Sequence, residues 1–479
     1  MTLWRDPAFW AELFVISDWT IRIIMAGVVP FRRAPSPAMA WLLFIFAFPW
    51  VGLACYLVLG DHRLPRARRA QFDRLREHLE TLAIRMREHP RVERPRIKPQ
   101  FEGAVLLAEH LGHMPIVGGN ALELLADYDG AIDRLVTDID GAAQHVHLLF
   151  YIFANDAVGG RVVAALGRAT ARGVACRVLI DTVGTGAATL RALLPRMRAL
   201  GIEARETLPL GLFRRKAARF DLRNHRKIAV IDGRVAYTGS QNLVESFGED
   251  ELWNDEMVIR LRGPVVFQLQ AVFAADWFIE SDEMLPDANF PPLDACGEVA
   301  AQVLPSGPGF PVGNYQRLLV ALVHGARKRV ILTTPYFIPD EALLQALHTA
   351  VLRGVRVDLV LSEKLDSRFV ALAQASYYDD LLEFGVHVHR YRERFLHAKH
   401  VTIDDEVAFI GSSNLDLRSF HLNAEVGVAC YDAGVAQQLR AEAERTMAKS
   451  RPLSAAAWGA RGLAPQVAEN LARLLSPLL

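Results

Sequence analysis

Asn224-His225-Arg226-Lys227-Ile228-Ala229-Val230-Ile231-Asp232-Gly233 and, further on, His397-Ala398-Lys399-His400-Val401-Thr402-Ile403-Asp404-Asp405 are two renderings of one pattern, with their histidines 172 positions apart (397 − 225). Each reads H-x-K-x4-D. Ten residues past each aspartate stands an asparagine behind Gly-Ser, in Gly239-Ser240-Gln241-Asn242 and Gly411-Ser412-Ser413-Asn414. The run from His225 to Ile231 is apolar and β-branched enough for a strand, in which residues two apart share a face. Asp232-Gly233 is a hairpin turn signal, so the return strand brings Ser240 and Asn242 back beside His225 and Lys227. A lone H-x-K is ordinarily a surface pair. Two copies with matched tails instead predict two strand ends that face each other, a cation-rich pocket with two imidazoles suited to a phosphodiester.

Outward from the motifs, the chain repeats itself. His147–Phe153 precedes a helical run, then Arg172-Gly173-Val174 and the strand Arg177–Ile180. Val330–Phe337 precedes another, then Arg353-Gly354-Val355 and Val357–Val360. Strands alternating with helices predict an α/β unit used twice. The expected segments are a membrane anchor over 1–60, a charged linker helix over 61–100, a first lobe over 101–295 and a second over 296–479.

The anchor follows from hydropathy. Residues 34–60 carry no formal charge and are long enough to cross a bilayer, with Pro49 as a kink point. Phe9–Phe31 is apolar but holds Glu12, Asp18 and Arg22. It reads as a first span forming a hairpin with the second, or as an interfacial helix, with Asp18 and Arg22 spaced to pair. Arg63, Arg66, Arg68 and Arg69 against Arg32 and Arg33 place the large C-terminal part in the cytoplasm. Residues 63–99 read either as a helix lying on anionic lipid or as a solvated linker. The basic stretch from Arg214 to Arg223 and the apolar end from Leu471 to Leu479 are further candidates for lipid contact.

Lys+Arg and Asp+Glu both number 54 in 479 residues, which argues against a general nucleic-acid binder. Four scattered cysteines without a C-x-x-C indicate neither a disulfide framework nor a zinc site. His145/His147 and His387/His389 form H-x-H pairs on predicted strands, with no third ligand nearby in sequence.

The twin motifs resemble those of the phospholipase D superfamily. Gly118-Gly119-Asn120, Tyr151-Ile152-Phe153, Thr333-Thr334-Pro335-Tyr336-Phe337 and the closing Leu475-Ser476-Pro477-Leu478-Leu479, behind an apolar N-terminus, resemble bacterial cardiolipin synthases with a membrane anchor. The resemblance implies two pseudo-symmetric α/β/α lobes behind a transmembrane helical hairpin. It implies transfer of a phosphatidyl group from one phosphatidylglycerol to another, giving cardiolipin and glycerol, in a multi-pass protein of the bacterial inner membrane. It further implies His225 as nucleophile and His397 as acid and base, or the reverse. Lys227, Lys399, Asn242 and Asn414, with Ser240 and Ser412 beside them, would bind phosphate oxygens. Glu256 and Glu425 would orient the histidines, and Asp232 and Asp404 would hold the motif hairpins. No metal or cofactor is expected. Alternatives are a membrane-anchored phospholipase D, another phosphatidyltransferase, or a non-catalytic membrane scaffold.

Overall fold

The computed structural model describes residues 7–33, 35–60, 95–209, 221–245, 254–292, 294–307 and 309–474, with scattered residues between 68 and 86. The chain falls into two compact units, Met1–Pro65 with Ala218–Asp221, and the remainder.

In the first unit, α1 (Pro7–Arg32) is, among the described residues, the one helix long and apolar enough to cross a membrane. At 1.5 Å per residue it measures about 39 Å. Its polar interruption closes on itself, since Asp18 and Arg22 pair at 3.5 Å and the Arg22 Nε donates to the Phe46 carbonyl at 3.2 Å. The stretch 34–60, expected as a single span, is instead broken into α2 (Pro35–Ala47) and α3 (Pro49–Leu59). Pro49 bars the helical conformation at Phe48, which adopts φ −135° and ψ 77°. The chain then folds back. The Trp41 and Tyr56 rings meet at 5.3 Å, where fifteen residues of continuous helix would hold them about 22 Å apart. Gly52 allows this approach: a Cβ there would lie 2.7 Å from the Ile45 Cα. The hairpin closes at its base, where the Arg33 Nε donates to the Gly60 carbonyl at 2.8 Å.

The second unit is a repeat about a single sheet. Its first half contributes β1 (Val117–Leu125), β2 (His145–Phe150), β3 (Ala175–Asp181), β4 (Glu203–Thr207), β5 (Ile228–Ile231), β6 (Val235–Gly239), the short β7 (Asn254–Asp255) and β8 (Val258–Arg262). The second half contributes β9 (Val299–Ser306), β10 (Arg329–Thr334), the short β11 (Phe337–Ile338), β12 (Arg356–Ser362), β13 (His387–Tyr391), the short β14 (Phe395–Leu396), β15 (His400–Ile403), β16 (Val407–Gly411), the short β17 (Leu415–Asp416), β18 (Glu425–Cys430) and β19 (Ser450–Pro452). The sheet order is β19-β13-β12-β10-β15-β16-β18-β9-β1-β8-β6-β5-β2-β3-β4. Outward from the antiparallel β9–β1 pair the two wings match strand for strand, with β19 as an extra edge on one side. In each wing the three outer strands, β2-β3-β4 and β10-β12-β13, run parallel because helices connect them. The motif strands join by hairpins and run antiparallel. These are two pseudo-symmetric α/β lobes.

Several helices start where aspartates cap them. Asp156, Asp340 and Asp432 each accept from a backbone amide three residues on. The helix Val265–Ser281 is buried on almost every side, with Trp277 fully enclosed against β9 and the first-lobe strands. The charged 63–99 stretch, expected on lipid or in solvent, does otherwise where it is described. Arg68 forks onto Glu280 at 2.9 and 3.1 Å, Gln71 reaches Asp282, and Leu75 and Met86 enter the main core. The closing helix Leu463–Leu474 docks on the body through Ala472 and an Arg473–Asp380 pair at 3.0 Å. Residues 475–479 and 210–220, the latter holding most of the basic stretch, lie outside the described residues.

Candidate active site

The two motifs begin as buried extended segments rather than as sheet strands, with β5 starting only at Ile228 and β15 at His400. What holds them is the opposite lobe. The His225 amide donates to the Ala424 carbonyl at 2.8 Å, just before Glu425. The His397 and Ala398 amides donate to the Asp255 carbonyl, both at 2.8 Å, just before Glu256, and β14 pairs with β7 alongside. This exchange sets the side chains. The His225 Nδ1 meets Glu425 Oε2 at 3.0 Å, and the His397 Nδ1 meets Glu256 Oε1 at 2.7 Å. Each imidazole is thus held by the carboxylate of the other lobe. With the Nδ1 proton donated to the carboxylate, the lone pair is left on Nε2.

The lysines repeat the symmetry. Lys227 Nζ donates to the His225 carbonyl at 2.8 Å and Lys399 Nζ to that of His397 at 2.6 Å. Burial drives both ammonium groups down, Lys227 to about 7 and Lys399 to about 8, with the two glutamates pulling the other way. Lys399 also lowers Lys227, so the two cations feel each other. Burial lowers His225, Glu425 raises it, and Lys227 and Lys399 lower it further. His397 is pushed to about 4 by burial, against the pull of Glu256. Burial would raise the glutamates, but the paired imidazole and the nearby lysines outweigh it and keep Glu256 and Glu425 ionised below the ordinary carboxylate range. The result is one coupled cluster of two neutral imidazoles, two easily titrated ammonium groups and two fixed carboxylates, since Lys399 acts on His225 and Lys227 on His397.

The remaining expected residues divide. Ser412 donates to Glu425, and Ser240 accepts from the Met257 amide at 2.9 Å beside Glu256. Asn242 accepts from the Ile152 amide at 3.2 Å, while the Asn414 Oδ1 has no partner among the described residues. Asp232 and Asp404 are not brought to the imidazoles. Seven residues of extended chain, about 23 Å, separate each from its histidine. Asp232 accepts from the amides of Ala143, Gln144 and His145 at 2.7–2.9 Å, and Asp404 from those of Arg327, Lys328 and Arg329 at 2.6–2.9 Å. Both sit at positive φ, near +53° and +54°, which costs about 1–2 kcal/mol and is offset by three amide bonds. They fasten the start of the neighbouring strand and do not touch the pocket.

Two aromatic walls were not expected. Tyr151 meets His225 edge-on at 4.7 Å, with Lys227 5.4 Å from its ring. Phe395 stacks on His397 at 5.6 Å, with Tyr336 at 6.2 Å from Phe395. The repeat itself was the available signal, since Tyr151 and Tyr336 stand at matching places in the two halves, 185 positions apart. The H-x-H pairs lie elsewhere. His145 and His147 stack in the core at 4.5 Å, and His389 pairs with Asp358 at 3.0 Å. Among the described residues no three His, Cys, Asp or Glu side chains gather as a metal site.

Two lobes with reciprocal histidine–glutamate pairs at their seam define a phosphodiester-handling enzyme of the phospholipase D type. The family model described as "Cardiolipin synthase, PLD-like domain" matches residues 135–277 and 319–447, and "Phospholipase_D-nuclease N-terminal" matches 19–60. The chain is 35% identical to proteins named cardiolipin synthase A from Pectobacterium atrosepticum, over 98% of both chains, and from Serratia proteamaculans, over all of both. In fold it is similar to a phosphatidylserine synthase of Haemophilus influenzae, with a TM-score of 0.60 and 14% identity over 78% of this chain and 99% of that one. The chain belongs to the phospholipase D-like cardiolipin synthase family, a family of phosphatidyltransferases.

Proposed function

We propose that the protein makes cardiolipin from two molecules of phosphatidylglycerol. The observation that carries this reading is the crossed pair of histidine–glutamate contacts around two buried lysines. In the first step the His225 Nε2 attacks phosphorus, and the bond from phosphorus to the headgroup glycerol breaks. His397 gives that glycerol oxygen its proton, and the anionic phosphodiester raises the affinity of His397 for the proton on entering the pocket. In the second step the primary hydroxyl of another phosphatidylglycerol gives its proton to His397 and attacks phosphorus. The phosphorus–nitrogen bond breaks, and His225 returns to its neutral form. Lys227 and Lys399 balance the charge on the non-bridging oxygens, helped by Asn242 and Asn414. Phosphatidylglycerol and other anionic lipids are the partners in this reading, and nucleic acid is not.

The membrane placement belongs to the same proposal. α1 crosses the inner membrane, and α2 and α3 dip in and return, so this reading has one crossing rather than the two expected from the sequence. The contact between Arg33 and Gly60 supports that placement, because it brings the two ends of the hairpin together. Arg32 and Arg33, where the hairpin begins, then mark its base as the cytoplasmic end by charge. Single cysteines placed before Pro7 and after Gly60 test this with an impermeant thiol reagent on spheroplasts. Opposite labelling supports one crossing, and labelling of both or neither contradicts it.

The activity is tested on purified protein in phosphatidylglycerol liposomes, with lipid products resolved by mass. Cardiolipin with equimolar glycerol supports the transfer reading. Phosphatidic acid as the main product would make the protein a hydrolase of the same superfamily.

A further inference from the structure

The two motifs differ at the residue between histidine and lysine, which is Arg226 in the first and Ala398 in the second. Arg226 is 2% exposed, yet it leads away from the reacting groups to a set of partners of its own. Its Nε donates to the Glu425 carbonyl at 3.0 Å, one terminal nitrogen to the Ser306 carbonyl at 2.9 Å, and the other to Asp276 at 2.6 Å. Asp276, on the buried helix Val265–Ser281, also accepts from the Asn224 side chain at 3.3 Å. One side chain therefore ties the first motif to the core helix of its own lobe and to β9 and β18 of the other. The bond to Glu425 falls on the main chain of the residue whose carboxylate holds His225. Ala398 has only a methyl group to offer at the matching place.

We propose that Arg226 is a positioning residue that fixes the Glu425 main chain, and through it the carboxylate, against His225, giving the first imidazole a mount the second lacks. This rests on the phosphatidyl-transfer reading with His225 as nucleophile. Loss of alignment in a group that must attack in line lowers kcat by up to about a hundredfold per ångström, while leaving lipid binding to other groups. A planar fork cannot be replaced by an ammonium point charge, so lysine restores the charge but not the three directed bonds.

The test compares Arg226→Gln and Arg226→Lys with the parent full-length protein in phosphatidylglycerol liposomes. Arg226→Gln is expected to lower kcat about 30-fold with KM within about twofold, and Arg226→Lys to recover part of that loss. Besides Glu425, the groups facing His225 are Lys227, Lys399, Asp416 and the ring of Tyr151. These are untouched by the substitution, so loosening Glu425 removes an upward pull on His225 and moves the acid limb of kcat to lower pH. The imidazole resonance of His225, followed by NMR across pH, moves the same way while that of His397 stays. This readout holds even if the parent makes no cardiolipin, an outcome that would sink the transfer reading alone. An unchanged kcat, or a His225 titration like the parent's, overturns the proposal. If Arg226→Gln does not fold, Arg226→Met with Asp276→Leu decides, since exchanging both members of a buried ion pair for apolar residues commonly keeps a fold. A folded double variant with parental kcat and titration overturns the proposal, and one with a slow kcat and a shifted titration sustains it. If both fail to fold, Arg226 serves stability in general and the proposal fails.

Discussion

His225 and His397 occupy matching positions, but the carboxylates behind them are held differently. Glu425 accepts from His225, from Ser412 and, at 3.0 Å, from Ser419, and its main chain is held by Arg226. Glu256 accepts from His397 and, at 3.5 Å, from Asn254, with the Ser240 hydroxyl beside it as Ser412 is beside Glu425, and it has no counterpart to the bonds from Ser419 and Arg226. A nucleophile has to meet phosphorus in line, whereas a proton carrier serves two different oxygens in turn. The additional bonds on Glu425 suit the first task, in keeping with the proposal that His225 is the nucleophile.

The sharpest way to break this comparison is to remove each imidazole. His225→Ala and His397→Ala are each expected to reduce cardiolipin formation by at least about a thousandfold. They part company on a phosphatidyl ester with an activated leaving group, which needs no acid. His397→Ala should then accumulate a phosphatidyl-enzyme, seen by intact mass, and His225→Ala should not. The reverse result would exchange the two roles. Next come the carboxylates. Glu425→Gln should lower kcat about a hundredfold and Glu256→Gln about tenfold, measured under identical liposome conditions, because the former disturbs more bonds. Equal losses would erase the distinction.

The lysines sharpen the comparison in another currency. A folded-state value of about 7 for Lys227 and about 8 for Lys399, against an ordinary value near 10.5, means that the unfolded chain binds more protons between those limits. The parent therefore loses stability as pH falls from about 10.5 toward 7. Lys227→Met should abolish most transfer yet raise stability by about 1–3 kcal/mol at neutral pH, with a smaller gain for Lys399→Met. Melting curves across pH check this: the gain should be largest below about pH 7 and vanish near 10.5. In the parent, the same groups predict that kcat/KM falls on the alkaline side between about pH 7 and 8. The smallest effect is expected where the halves agree. Asp232→Asn and Asp404→Asn should each cost about 1–3 kcal/mol of stability, with little change in kcat in variants that remain folded.

Much of this was legible in the residues. The doubled motif and its tails gave two lobes, and β-branched runs with Asp-Gly and Asp-Asp turns gave the hairpins. The crossing of the glutamates was not legible. Glu256 lies 31 positions after His225, and chain distance alone would have paired them. The exchange is made by backbone bonds at Ala424 and Asp255, which no side-chain pattern records. The burial of Arg68, in the charged segment after the anchor, was not legible for a related reason, since its carboxylate partner lies 212 positions away. Along 34–60 the lack of charge said apolar and no more. The turn at Phe48 depends on Pro49 to stop one helix and on Gly52 to let the next approach it.

The exchanged glutamates have a consequence for heredity. A gene fragment encoding either lobe alone would specify one imidazole and the carboxylate meant for the other, a product with neither pair complete. Activity from separate lobes would have to begin with two polypeptides meeting, an encounter that a single chain makes permanent. Substitutions near one histidine's glutamate are therefore felt across the seam, in the other lobe.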